Sequence, residues 1–396
     1  MSADRGPLHG RDLELEIGAV ANLGYCVARH EGRVVFVRHA LPGERVVARV
    51  SEDRGGSFCR ADAIAIVRPS PDRVEPPCEA AGPGRCGGCD WQHVTPAAQR
   101  LLKAEVVREL FSRIGRLPVP ELTVEEVPGG PLGWRTRAQF AVDRSGRPGL
   151  RRHRQHAIQP LADCPLVVPA IRPVLAAGQR KPGTVLDVAA TSCGELAIQE
   201  RSGRSRPAGE VIHERALGRR WQVHVGGFWQ VHPAAAETLV DCVLGMLAPR
   251  AGERALDLYA GVGLFTAALA ETVGPAGAVI GIESDPVSAA DGVANLTDLA
   301  QAQMQTGDVA ELLDPIGSAD IVALDPPRAG AGRAVMTALT ELGARAIAYV
   351  SCDPATLAAD VRVAADSGYR LSTLRAFDLF PMTHHIECVA LLQPAG

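Results

Sequence analysis

The chain has 396 residues, too many for one small binding module and enough for two or three domains at roughly 100–200 residues each. Its composition, 46% hydrophobic and 22% charged, is that of a globular protein, and no apolar run approaches the roughly 18–20 residues of a membrane helix. The formal charge of −4 argues at first against a nucleic-acid partner, yet it is a sum of opposites: residues 1–220 hold 33 Lys/Arg against 25 Asp/Glu, and residues 221–396 hold 8 against 20.

The N-terminal segment MSADRGPLHGRDLELEIG mixes acids with bases and has no apolar stretch, so it does not read as a secretory leader and points to the cytoplasm. Five short strand patterns follow, Leu13–Ile17, Gly24–Arg29, Val34–Val37, Arg45–Val50 and Ala61–Val67, separated by Gly and Pro turns; they predict a small barrel. Pro69–Pro77 reads as a linker. Cys78, Cys86 and Cys89 then lie close together, with Cys164 a distant fourth. In a reducing compartment these are not a disulfide framework, and four thiolates could hold zinc or an iron–sulfur cluster.

Helical periodicity runs over Pro96–Ile114 behind Thr95 as a possible N-cap, and residues 122–225 are strand-like and irregular. Within them Arg135, Arg137, Arg144, Arg147, Arg151, Arg152 and Arg154, interleaved with Trp134, His153 and His156, place seven arginines in twenty residues, a density that an RNA backbone would explain.

After residue 232 strands and helices alternate: helix 234–248, strand Arg254–Tyr259, helix 264–272, strand Ala278–Glu283, helix 286–301, strand Asp320–Leu324, strand Ala346–Ser351, helix 354–367 and strand Glu387–Leu392. This rhythm predicts a largely parallel sheet covered by helices, with ligands at its C-terminal edge. Chemistry-bearing residues recur at that edge. Gly261 and Gly263 let the backbone approach a ligand, and Glu283 ends the next strand where an acid can accept both ribose hydroxyls. The missing full G-x-G-x-x-G turns the reading from a dinucleotide to S-adenosylmethionine. Asp325 opens an Asp-Pro-Pro loop, Cys352 follows a strand beside a helix N-terminus that would lower its pKa, and Glu387 leads an apolar strand as a plausible general base. A thiol, a base and a methyl donor together fit one chemistry: thiolate addition to carbon 6 of uracil, methylation of the enolate at carbon 5, and removal of the carbon 5 proton.

The segments DLYAGVGLF (257–265), DPPRAG (325–330), YVSCDP (349–354) and DLFPMTHHIE (378–387), preceded by GGFWQV (226–231), resemble the signature set of the RNA 5-methyluridine methyltransferases that use S-adenosylmethionine. The resemblance implies Cys352 as nucleophile and Glu387 as base. It implies Gln230, Tyr259, Glu283 and Asp325 as cofactor or active-site contacts, with Asp308 as an adenine neighbour. It also implies a 4Fe-4S cluster on Cys78, Cys86, Cys89 and Cys164, and a TRAM barrel carrying Gly24–Ala28, Val35–Val37 and Leu41–Glu44. Asp353 stands where the family usually has Asn, and Leu264 where an Asn is common. The organisation that follows is an OB-like TRAM barrel over 1–70, a β-rich central domain with the cluster over 71–225, and a Rossmann-like class I methyltransferase domain over 226–396. The implied substrate is structured RNA, ribosomal RNA favoured over transfer RNA with both open, and the target base unstacked; no obligate protein partner is implied, and the chain reads as a monomer.

Overall fold

The computed structural model describes residues 8–119, 121–203 and 209–396. Residues 1–7, part of the segment read as leaderless, lie outside them.

Alternating burial shapes the first unit. Strands β1 (Asp12–Glu16), β2 (Cys26–His30), β3 (Arg33–Arg38), β4 (Arg45–Glu52) and β5 (Phe58–Arg68) send Leu13, Leu15, Val35, Val37, Val46 and Ala48 inward. They pair in the order β1-β4-β5-β3-β2. The two end strands are joined where Gly18 N donates to Val27 O (2.7 Å) and Val27 N donates to Ala19 O (2.9 Å). A Cβ on Gly18 would lie 3.0 Å from Val27 O, so this closure needs glycine.

Helix α1 (Pro96–Leu110) starts on a proline, which has no amide to leave unpaired, and buries Gln99, Leu102, Lys103, Val107 and Leu110. Thr95 occupies the N-cap position but makes no side-chain cap bond. The two-residue strand β6 (Val124–Glu125) follows. Strands β7 (Arg137–Val142), β8 (Pro148–Arg151), β9 (Ile158–Pro160), β10 (Thr184–Ala190) and β11 (Leu196–Ser202) form an antiparallel sheet in the order β11-β10-β7-β8-β9. Strands β12 (Val211–Ala216) and β13 (Arg219–His224) pair as a hairpin.

The remaining elements are α2 (Ala235–Leu247), β14 (Arg254–Leu258), α3 (Leu264–Val273), β15 (Ala278–Glu283), α4 (Pro286–Asn295), β16 (Ala302–Thr306), α5 (Val309–Leu313), β17 (Ile321–Leu324), α6 (Gly332–Glu341), β18 (Ala346–Ser351), α7 (Pro354–Asp366), β19 (Tyr369–Phe377) and β20 (Glu387–Pro394). They build a sheet of order β16-β15-β14-β17-β18-β20-β19-β6. Strands β14 to β18 run parallel, and β20 is inserted antiparallel between β18 and β19. Ile321–Leu324 and Ala346–Val350 are buried throughout, as central parallel strands covered on both faces are. The strand order reverses between β14 and β17, which opens the crevice at the C-terminal edge.

Four elements of this sheet and its helices go beyond the sequence expectation: β16, α5, α6 and β19. The predicted helix 286–301 stops at Asn295, where Leu296 leaves the helical conformation (φ −106°, ψ 7°), and the Asn295 side chain donates to Gln222 O and Val262 O (both 3.0 Å) and accepts from Gln222 N (2.7 Å). Among the described residues no helix is long and apolar enough to cross a membrane.

Candidate active site

The antiparallel ladder between β18 and β20 ends with Ser351 opposite Cys388. One step further, the same register sets Cys352 across from Glu387. Glu387 is buried and its Oε1 has no hydrogen-bond partner. Burial, and next the Asp325 charge, push its carboxyl well above the usual carboxylate range. Asp325, at the end of β17, is itself pushed up to about 7 by burial and then by Asp257. Asp257 in β14 is also raised to about 7 by burial; Thr266 donates to its Oδ2 (2.6 Å) while Oδ1 is left without a partner.

The sequence points to a lowered thiol pKa at Cys352, and the structure reverses that. Burial first, and then Glu387, push the thiol up to about 11, and only the guanidinium of Arg328 pulls it down. The helix N-terminus contributes little because Asp353 caps α7, accepting from Ala355 N (2.9 Å) and Thr356 N (3.1 Å). Asp353 therefore does the capping work available to the family's Asn. Arg328 is the functional group that residue-by-residue reading missed; its signal was its place directly after Asp-Pro-Pro, facing the same edge. Its NH2 also lies 3.5 Å from His385 Nε2.

At the neighbouring strand ends, Tyr259, Gly261 and Gly263 all have left-handed φ values of 62°, 56° and 91°. A Cβ at Gly261 would meet nothing within 4 Å, so the turn opens onto free space. Its amides are already used: Ala260 N donates to Ile282 O and Gly261 N to Glu283 Oε2, both at 2.9 Å, and Gly263 N to Ala260 O at 2.9 Å. A turn with its amides consumed is a poor phosphate cradle, which suits a nucleoside cofactor without phosphate. Glu283 Oε1 accepts from Asp285 N (2.7 Å), so the carboxylate is fixed at the mouth of the turn. Asp308 caps α5 by accepting from Ala310 N (2.8 Å) and is exposed at the end of β16. Leu264 is buried in the core as the first residue of α3. Gln230 is buried in the loop before α2, next to Phe228, which is 62% exposed. The structure thus gathers Tyr259, Gly261, Gly263, Glu283, Asp308, Asp325, Cys352 and Glu387 along one sheet edge.

Cys78, Cys86, Cys89 and Cys164 line a single cavity with Arg135, Gln92 and Leu150. Gln92 Nε2 donates to Cys89 Sγ (3.0 Å) and Gly88 N to Cys86 Sγ (3.4 Å). Among the described residues no group of three or more His, Cys, Asp or Glu side chains is arranged to hold a metal ion.

The arginine-rich segment divides. Arg137 is not available to RNA: it pairs with buried Glu214 (3.3 Å) and donates to Gly227 O (3.1 Å). Trp134 is buried, and Arg135 lies over its ring at 5.0 Å. Arg154 pairs at 3.8 Å with Glu52 of the barrel and keeps an exposed head.

Residues 315–395 match the tRNA (uracil-5-)-methyltransferase family model, residues 8–63 the TRAM domain, and residues 231–311 the protein-L-isoaspartate(D-aspartate) O-methyltransferase model. An uncharacterized RNA methyltransferase of Streptomyces coelicolor is 48% identical over 98% of this chain and 94% of its own. The 23S rRNA (uracil(1939)-C(5))-methyltransferase RlmD of Chromohalobacter salexigens is 34% identical over 96% of this chain and 88% of its own. In fold, the chain is similar to the Pyrococcus abyssi tRNA (uracil-54, C5)-methyltransferase solved with S-adenosyl-L-homocysteine, at a TM-score of 0.74 and 22% identity over 95% of this chain and 99% of that one.

Proposed function

The chain belongs to the TRAM-bearing RNA (uracil-5-)-methyltransferase family, and we propose that it methylates one uridine of ribosomal RNA through a covalent bond from Cys352 to carbon 6, with Glu387 as base. The observation that carries this reading is the register that faces the thiol with a buried carboxyl whose Oε1 is unpaired.

S-adenosylmethionine supplies the electrophilic methyl group. The open glycine turn and the fixed Glu283 carboxylate support a nucleoside there, and the family resemblance assigns Tyr259, Asp308 and Gln230 as its further contacts. Arg328 favours the thiolate of Cys352. The sulfur lone pair forms the bond to carbon 6, and the carbon 5–carbon 6 π electrons move into an enolate. The enolate electrons form the bond from carbon 5 to the methyl group, whose bond to the sulfonium sulfur breaks to leave a neutral thioether. Glu387 then accepts the carbon 5 proton, the C–H electrons restore the double bond, and the S–C6 bond breaks to return the thiolate. Asp325, holding a proton near neutral pH, can exchange one hydrogen bond with the polar edge of the base.

The reading divides the chain into a barrel to residue 70, a cluster-bearing part to 225, and a methyltransferase part from 226, with α1 and β6 of the middle part packed onto the last sheet. The four cysteines around one cavity, with sulfur-directed donors from Gln92 and Gly88, support the 4Fe-4S cluster that the family resemblance implies. The ribosomal preference is supported by the likeness to RlmD.

RNA carrying 5-fluorouridine tests the mechanism, because fluorine cannot leave as a proton and the adduct persists. The wild-type protein is expected to form a denaturant-resistant complex and Cys352→Ala none; capture by Cys352→Ala overturns the mechanism. Mapping 5-methyluridine in a deletion strain tests the substrate, and loss from transfer RNA alone overturns the ribosomal assignment.

A further inference from the structure

The loop between β19 and β20, Asp378 to Ile386, delivers Glu387 to the active site, yet much of what holds it comes from a distant part of the chain. Met382 sits at its turn with φ +67°, a left-handed conformation that a side chain with a Cβ resists. Both polar backbone groups of Met382 are engaged from outside the loop. Its N–H donates to Gln99 Oε1 (2.7 Å), and its carbonyl accepts from Asp90 N (3.2 Å) and Trp91 N (3.1 Å). Gln99 is fully buried in α1. Its Nε2 donates to Trp91 O (3.1 Å) and Val94 O (2.9 Å), and lies 3.2 Å from Met382 Sδ, so its carboxamide is oriented without ambiguity. From Met382 the order continues toward the base: Thr383 Oγ1 donates to Phe380 O (2.8 Å) and accepts from His385 N (3.2 Å), two residues before Glu387. His384 Nδ1 is held at 2.6 Å by Asp90 Oδ2.

We propose that Gln99 is a positioning residue for the methylation reaction: it stabilises the strained turn at Met382 and thereby fixes the loop that sets Glu387 opposite Cys352. Gln99 touches none of the reacting atoms. Its contribution is made at the step that needs Glu387 in place, the removal of the carbon 5 proton, and so it rests on the reading of Glu387 as the base. A residue that only supported the fold would weaken all steps alike. Gln99 instead acts after methyl transfer.

The test compares wild type, Gln99→Met, Thr383→Ala and Glu387→Gln as full chains, with methyl-labelled S-adenosylmethionine and ribosomal RNA from a deletion strain. Gln99→Met keeps side-chain length and removes the carboxamide. It is expected to lower kcat by about 10²-fold, the scale of an ångström-sized misplacement, to leave KM for S-adenosylmethionine within about two-fold, and to accumulate a methyl-labelled protein–RNA adduct. Thr383→Ala, a milder change further along the same path, is expected to accumulate the same adduct with a smaller fall in kcat. Hydrogen exchange should speed up in residues 378–386 of both variants and not in β14 or β15. Wild-type kcat with no adduct in Gln99→Met overturns the proposal, as does a fall in kcat accompanied by unchanged exchange in the loop. If Gln99→Met does not fold, Thr383→Ala decides by the same two readouts. Glu387→Gln separates the two levels: if it accumulates no methylated adduct, the base assignment fails, and loop exchange in Gln99→Met still judges the positioning by itself.

Discussion

Lys103 and Asp378 form an ion pair at 2.6 Å between side chains 0% and 3% exposed, across 275 residues of sequence. Lys103 Nζ also donates to Phe380 O (3.1 Å), so α1 grips the first turn of the loop that leads to Glu387. Burial lowers the lysine pKa and the Asp378 charge opposes that. Removing one partner leaves the other charged and buried, so Lys103→Met is expected to cost about 3–5 kcal/mol in urea unfolding. Lys103→Met combined with Asp378→Leu should recover most of that loss. Equal destabilisation of single and double variants would show that the pair does not carry it.

The raised thiol gives activity a distinctive pH dependence. Cys352 must be ionised to attack, and burial and then Glu387 push it up to about 11. The logarithm of kcat/KM is expected to keep rising from pH 6 to 9, since this quantity reports the free enzyme. A profile already flat at pH 6 would contradict the assigned roles.

Stability should run the opposite way. An unfolded aspartate titrates near 3.9, whereas folded Asp325 keeps its proton to about 7. The native state therefore binds more protons across that window, and stability is lost as pH rises through it. The ligand-free protein is expected to melt higher at pH 5.5 than at pH 8. Asp325→Asn should reduce that dependence, leaving the share carried by Asp257 and Glu387, and melt above wild type at pH 8, as differential scanning calorimetry would record.

Protein purified without oxygen is expected to contain iron and acid-labile sulfide at about four each per chain, the stoichiometry of the cluster. Cys89→Ser should lose both. Asp90 and Trp91, whose amides hold Met382, follow Cys89 directly, so hydrogen exchange in 378–386 should quicken with cluster loss. Zinc in place of iron would overturn the cluster reading.

Arg137 belongs to the arginine-rich segment but spends its charge on Glu214. Arg137→Met is expected to lower the melting temperature while leaving the salt dependence of RNA binding unchanged. Arg154→Met should do the reverse, reducing the slope of log K against log salt by about 0.7–0.9, the value of one phosphate contact. A reduced slope for Arg137→Met would return that residue to the RNA surface.

The contrast between these two arginines shows what the sequence could not say. Guanidinium density reads as an RNA surface, but the carboxylate that neutralises Arg137 lies 77 residues away and no local pattern announces it. Strands β14, β15, β17 and β18 were legible because short apolar runs end in residues of evident chemistry: Tyr259, Glu283, Asp325 and Cys352. Strand β19, YRLSTLRAF, was not, since its polar and half-buried positions follow no clean apolar alternation. The direction of the Cys352 pKa shift failed for a related reason. The nearby helix N-terminus is visible in sequence, while the burial and the facing Glu387 that outweigh it arise only from the register of β18 with β20.

Strand β6 is two residues long, yet it occupies the outer edge of the eight-stranded sheet, paired with Ala376 and Phe377. Asp378 N donates to Glu125 O (2.8 Å), and Glu125 pairs with Arg375 (2.7 Å). A fragment starting at residue 226 would therefore strip Ala376 and Phe377 of their edge partner just where β19 hands over to the loop that carries Glu387. The sheet of the methyl-transferring half is completed by chain that precedes it, at the point where its catalytic loop begins.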